Sequence, residues 1–272
     1  GAMGGAEAAA GARGWARVIE AANEAGPGAE IGVAARLIGG GRFWGRDADK
    51  LFPAASTIKV PILVALARAA DAGRLGMDDR LRMQPQDIAG GTGVLAWMEP
   101  DLQLRLRDFA YLMIAVSDNT ATNVLLRAVG LDRVGQTIGE LGMRQTGWTH
   151  YFPDRAPEPG EPYNYTTASD LVLALTAIAT GTAASPGRCE EMWALLSLQQ
   201  DRDRLARWLP PGVAYGGKTG TLDGVVHDCG LIDTPAGTLA VAALTWNIVD
   251  RYRAEATIGA IGRAMVDEAM AM

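Results

Sequence analysis

From Val60 to Ala72 the sequence is apolar nearly all the way round a helix, and this stretch constrains the fold more than any other. A helix without a polar face has to be covered on every side, so other elements must be layered around it. The run is preceded by Ser56-Thr57-Ile58-Lys59. Residues three apart share a helix face, so a helix beginning here brings the Ser56 hydroxyl and the Lys59 amine within reach of each other. A serine hydroxyl is a poor nucleophile until a base removes its proton, and a desolvated lysine beside another cation can be that base. Ser56 would also stand at the positive end of the helix, where backbone N–H groups favour developing negative charge. A serine in this place is equally an ordinary helix cap. Lysine usage adds weight to the chemical reading. Lys50, Lys59 and Lys218 are the only lysines, and arginine fills every other cationic position. Arginine keeps its proton in proteins, whereas lysine gives it up readily when buried. Pro61 removes one backbone hydrogen bond, which predicts an irregular helix start, and Asp71-Ala72-Gly73 supplies a glycine end.

Around this helix the pattern predicts helices over 15–25, 101–116, 120–129, 131–141, 166–180, 186–198 and 251–272. Strands are predicted over 31–38, around 42–44, and over 212–221, 225–232 and 238–248. Strands therefore cluster towards both ends of the chain, with helices between. The economical fold class is α/β (α+β): one antiparallel sheet built from both chain ends and flanked by helices, plus an inserted all-α region. The corresponding divisions are 15–55 with 199–272 for the α/β part and 56–198 for the helical part. Residues 1–14 are Gly/Ala-rich and read as disordered, with Gly1-Ala2-Met3 as an expression-tag remnant. From Met143 to Tyr165 the chain turns irregular and proline-rich, and a loop this long in a compact domain is usually functional or disordered.

The chain has 272 residues and a net charge of −6, without a basic run, which argues against nucleic acid or an anionic membrane surface as partner. No stretch is long and apolar enough to span a bilayer. Cys189 and Cys229 lack metal-ligand spacing and could pair or stay free. His150 and His227 are too few for a histidine-rich metal centre.

Two further clusters carry chemistry. Ser117-Asp118-Asn119 breaks the helical pattern. Ser117 offers a second hydroxyl that can relay a proton towards a leaving group, and Asn119 suits recognition of an amide. All three residue types also favour caps and turns. Lys218-Thr219-Gly220 follows Gly216-Gly217 at the end of a predicted strand. Its lysine and small hydroxyl residue can hold a carboxylate, and Gly220 lets a ligand approach the backbone closely. A solvated edge lysine that guards against aggregation is the plainer alternative. The sequence holds no G-x-S-x-G, H-E-x-x-H or P-loop motif.

S-x-x-K, S-D-N and K-T-G in this order are the signature of class A β-lactamases and penicillin-binding proteins. The chain resembles that superfamily over most of residues 15–272. Ser117 stands 61 residues after Ser56, and Lys218 another 101 residues on, spacings closest to class A. The resemblance implies a serine hydrolase that acts on a β-lactam or a related amide or ester. It assigns Ser56 as the acylated nucleophile, Lys59 as the base or relay in acylation, and Ser117 as the proton donor to the leaving nitrogen. Asn119 would bind the acyl amide, while Lys218 and Thr219 would hold the substrate carboxylate. The N–H groups of Ser56 and Thr221 would form the oxyanion hole. The resemblance further implies no cofactor and no metal, a small-molecule substrate as the partner, a monomer, and a secreted or periplasmic location, although no signal peptide is visible.

The sequence departs from the pattern at one place that matters. Class A enzymes carry a Glu-Pro in the loop before the Thr-Thr helix, and the glutamate activates the deacylating water. Here that position falls on Phe152-Pro153. Asp154, Glu158 and Glu161 are nearby carboxylates outside the family setting. Slow deacylation is the consequence expected. A D,D-peptidase, esterase or transacylase, or a β-lactam-binding sensor without turnover, is the alternative. A softer departure is His227-Asp228, near where many class A enzymes place an arginine. His227 reads as a core or surface histidine ahead of a substrate contact.

Overall fold

In the computed structural model, residues 16–40, 43–149, 151–152 and 164–271 are described. The expectations placed on residues 1–14, His150, Asp154, Glu158 and Glu161 lie outside them. The chain opens with a helix over residues 16–23 (α1). Then come β1 (Glu30–Leu37), β2 (Phe43–Arg46), β3 (Phe52–Pro53), a 3-10 turn (Ala55–Ile58) and α2 (Lys59–Asp71). A small antiparallel pair, β4 (Arg80–Arg82) with β5 (Gln103–Arg105), precedes α3 (Leu106–Ala115), α4 (Asn119–Val129) and α5 (Leu131–Glu140). After β6 (Tyr165–Thr166) come α6 (Ala168–Ala179) and α7 (Pro186–Ser197). The chain closes with β7 (Ala214–Leu222), β8 (Val225–Thr234), β9 (Gly237–Trp246) and α8 (Arg251–Met270).

The main sheet has the order β2-β1-β9-β8-β7, with every neighbour antiparallel. The first strands therefore lie against the last, as the strand pattern predicts. Alternation along each strand sends one set of side chains to each face. Ile31, Val33, Val241 and Ala243 point into a core shared with Val18, Ile258 and Ile261 of α1 and α8. Ala34, Leu231, Ala242 and Leu244 point into a larger core filled by α2, α3, α4, α6 and α7. Helix α2 lies inside that second core, and only Arg68 and Asp71 of its residues escape burial. Gly73, at φ +66°, turns the chain out after it, and the Arg74 N–H donates to Ala69 O, closing the last turn.

Two local outcomes differ from the sequence pattern. The helix expected over 101–116 begins only at Leu106, because Gln103–Arg105 is drawn into pairing with Arg80–Arg82. Ser56 lies not in an α-helix but in the 3-10 turn ahead of it. Pro61, third residue of α2, has no N–H to give to the carbonyl four residues back, so the tighter turn carries the chain into the helix.

Candidate active site

The 3-10 turn is seated against the end of β7. A methyl group at Gly220 would lie 3.1 Å from Ala55 Cβ and 3.2 Å from the Ser56 backbone N, so glycine is what admits this approach. Ala55 adopts φ +46°, a costly conformation for a residue with a side chain, and hands Ser56 into the turn. Ser56 is half-buried, and its hydroxyl has no hydrogen-bond partner among the described residues.

Lys59 is fully buried at the first position of α2. Its Nζ donates to Ser117 O at 2.7 Å, Asn119 Oδ1 at 2.7 Å and Ser117 Oγ at 3.1 Å. The amine thus turns towards the Ser117 cluster, and the close Ser56–Lys59 contact read from the spacing is not made in this state. Burial, followed by the nearby Lys218 charge, holds the Lys59 pKa well below its ordinary value, while Asp118 pulls it the other way.

Ser117 sits between α3 and α4 with φ +58°. The strain is held from both sides. Thr92 Oγ1 donates to Ser117 O at 2.7 Å. Asp118 caps α4 by accepting from Ala121 N at 2.8 Å, and its second oxygen accepts from Val94 N at 2.6 Å and Leu95 N at 2.9 Å. Asn119 Nδ2 donates to Gly90 O at 2.8 Å, which leaves its other amide hydrogen for a ligand. The segment 90–95 is therefore the template of this cluster, and sequence reasoning missed it. Its signal was Gly90-Gly91-Thr92-Gly93. Gly91 (φ +89°) and Gly93 (φ +116°) press on Asn119 and Asp118, where a Cβ would fall 2.9 Å from Asn119 Nδ2 and 2.3 Å from the Asp118 carboxylate.

Lys218 is fully buried on β7, where it pairs with Cys229 of β8. Its Nζ folds onto Thr219 O at 2.8 Å, and burial lowers its pKa to about 7. Thr219 is buried as well, whereas Thr221, two residues on, is exposed. Arg204, in the segment between α7 and β7, was not singled out from the sequence. It is buried, and its guanidinium donates to Gly220 O at 2.8 Å, His227 O at 2.6 Å and Thr221 Oγ1 at 2.6 Å. It also faces Asp201 at 3.2 Å and Glu255 at 3.6 Å. Nothing local distinguishes it from the many other arginines, so only its partners reveal it.

His227 is a core residue. Its Nε2 lies 2.8 Å from Pro53 O, and its Nδ1 accepts from Thr245 N at 3.0 Å, which fixes the neutral tautomer with the proton on Nε2. Burial lowers its pKa to about 4. It ties β3 to the main sheet behind the 3-10 turn. Cys189 and Cys229 are both buried and free.

Phe152 closes the remaining side. Its backbone is clamped by Asn123: Phe152 N donates to Asn123 Oδ1 at 2.9 Å, and Asn123 Nδ2 donates to Phe152 O at 2.8 Å. The phenyl ring stands 4.7 Å from Lys59 Nζ. Lys59 thus joins Ser117, Asn119 and Phe152, and β7 brings Lys218 and Gly220 to the same turn that carries Ser56. Among the described residues no cluster of His, Cys, Asp or Glu could hold a metal ion. No helix among them is long and apolar enough to cross a membrane.

Comparison with known proteins gives a consistent result. The profile described as "Beta-lactamase enzyme family" matches residues 15–269. The crystal structure of a β-lactamase from Sphaerobacter thermophilus superposes with a TM-score of 0.90 at 41% identity, covering 95% of this chain and 98% of that one. The structure of PBP-A superposes at 0.86 with 29% identity, covering 94% and 96%. A β-lactamase of Streptomyces albus G is 30% identical over 202 residues, 71% of this chain; the match spans 64% of that relative's length. Three separate motifs, the fold that brings them to one turn, and a profile match over nearly the full length lead to one conclusion: the chain belongs to the β-lactamase enzyme family, in the superfamily that class A β-lactamases share with penicillin-binding proteins.

Proposed function

We propose that this protein is a serine hydrolase that acylates Ser56 with a β-lactam or a related amide or ester and releases the acyl group slowly. The cleft lies between the α/β part (15–55 and 199–272) and the helical part (56–198). Lys218 and Thr219 draw in the substrate carboxylate, and the free Asn119 amide hydrogen binds the acyl amide. Neutral Lys59 takes the Ser56 proton as Oγ attacks the carbonyl carbon. The N–H groups of Ser56 and Thr221 receive the oxyanion. When the C–N bond breaks, the Ser117 hydroxyl protonates the nitrogen, and Lys59 returns the proton to Ser117.

Hydrolysis of the resulting ester needs a base on a water molecule. The observation that carries the slow step is Phe152, whose ring stands 4.7 Å from Lys59 Nζ. A phenyl ring accepts no proton and holds no water in place. The likeness to PBP-A supports a second reading from the same observation: a β-lactam-binding protein that does not turn over. Intact-mass measurement after mixing with penicillin G tests both. A lasting adduct, absent in Ser56→Ala, supports acylation. Its decay over hours with hydrolysed product favours the slow hydrolase, and its indefinite persistence favours the binder. Rapid hydrolysis without any adduct would contradict the slow step, and no reaction at all would contradict the substrate class.

A further inference from the structure

A second cavity, of about 400 Å³, opens between the end of α6, the first two turns of α7 and the far end of β8 and β9. It is remote from Ser56. Gly220, against which the 3-10 turn packs, pairs with His227 on β8, whereas the cavity reaches Asp233, six residues further along the same strand. At the rise of a strand this separation is roughly 20 Å.

Its construction is that of a ligand site. The floor is apolar, made by Ile178, Cys189 and Leu231, all buried. Trp193, half-buried one turn along α7, forms a flat aromatic wall. Two carboxylates, Glu190 and Asp233, stand at the rim, and no cationic side chain lines the cavity. Asp233 is oriented by Thr238, whose hydroxyl donates to its Oδ1 at 3.0 Å. Glu190 has no ion-pair or hydrogen-bond partner among the described residues. The volume lies within the range of small-molecule sites, which combine apolar walls with a few placed polar groups. An aromatic face and two anions both attract a cation, one through its quadrupole and the other through its charge.

We propose that this cavity binds small amphiphilic cations, a flat apolar body carrying an ammonium group. The apolar body lies against Trp193 over the Ile178–Leu231 floor. The ammonium sits between Glu190 and Asp233. The site is independent of the acylation chemistry proposed for Ser56.

The test is calorimetric titration with 2-phenylethylammonium, with 2-phenylethanol and 3-phenylpropionate as neutral and anionic counterparts. For a ligand this small the expected dissociation constant is on the order of 1 mM. The alcohol should bind roughly tenfold more weakly and the carboxylate undetectably. The double variant Glu190→Gln/Asp233→Asn, confined to exposed side chains, should bind amine and alcohol alike. Trp193→Ala should weaken both about tenfold. Equal binding of the three compounds to the parent protein, or an amine preference that survives the double variant, would overturn the proposal.

Discussion

Two buried lysines of one cleft face opposite demands. In the mechanism proposed, Lys59 has to be neutral to take a proton from Ser56, and Lys218 has to be charged to attract a carboxylate. Both are pushed down by burial, Lys59 further by its neighbour Lys218, and Lys218 reaches about 7. The acylation rate constant kcat/KM should therefore fall as pH passes about 7 and Lys218 discharges. The falling limb should appear in KM and be missing for a neutral ester substrate, which a stopped-flow pH series would show. Lys218 also acts on stability. Its folded pKa of about 7 lies below the unfolded value of 10.5, so between these limits the unfolded chain holds more protons and stability increases with pH. Lys218→Met should remove that increase in denaturant titrations between pH 7 and 10, while gaining stability most at pH 7 and below.

The site is assembled by short elements pressed on one another, and two glycine or amide contacts can be tested singly. Gly220→Ala puts a methyl group 3.2 Å from the Ser56 N, and the 3-10 turn has to move away from β7. Acylation should fall by about ten- to a hundredfold, with the thermal midpoint changed far less, because a shift of this kind misplaces the nucleophile rather than opening the core. Asn123→Ala removes both bonds to the half-buried Phe152 backbone and leaves it short of partners; a stability loss of about 1 kcal/mol is expected by urea titration. This scale also shows where the sequence was readable. Ser56, Lys59, Ser117, Asn119, Lys218 and Thr219 stood out because each belongs to a compact motif with its chemistry in a few adjacent residues. Thr92 and Arg204 did not: the hydrogen bonds by which they hold the site reach 25 and 16 to 23 residues along the chain, and the glycines around Thr92 were the only local sign. Residues 101–105 read as helix for the same reason: their strand partner, Arg80–Arg82, is distant in sequence.

Across the whole molecule, the sheet joins the two ends of the chain and forms one face of the core that encloses α2. Its sequence pattern was legible because strands alternate and the closing strands are rich in β-branched residues. The tightest packing within it lies at Gly217 and Gly230, over which Tyr215 is laid to reach Asp228 at 2.6 Å. Asp228, with its pKa raised by burial to about 6, also accepts from Leu205 N at 3.0 Å. A Cβ at Gly217 would fall 2.1 Å from the Tyr215 hydroxyl. Gly217→Ala should therefore cost about 1–3 kcal/mol of global stability, read as a lower thermal midpoint, and unlike Gly220→Ala it should reduce stability more than acylation by the surviving folded fraction.

The central claim is that the residue opposite Lys59 sets the lifetime of the acyl-enzyme. The most direct measurement follows the mass of the penicillin G adduct with time, after removal of excess drug, in the parent protein and in Phe152→Glu. The account predicts a long-lived adduct in the parent and release accelerated about 10²- to 10⁴-fold in the variant. Equal release rates in the two proteins, or an adduct in the parent that vanishes within seconds, would contradict it.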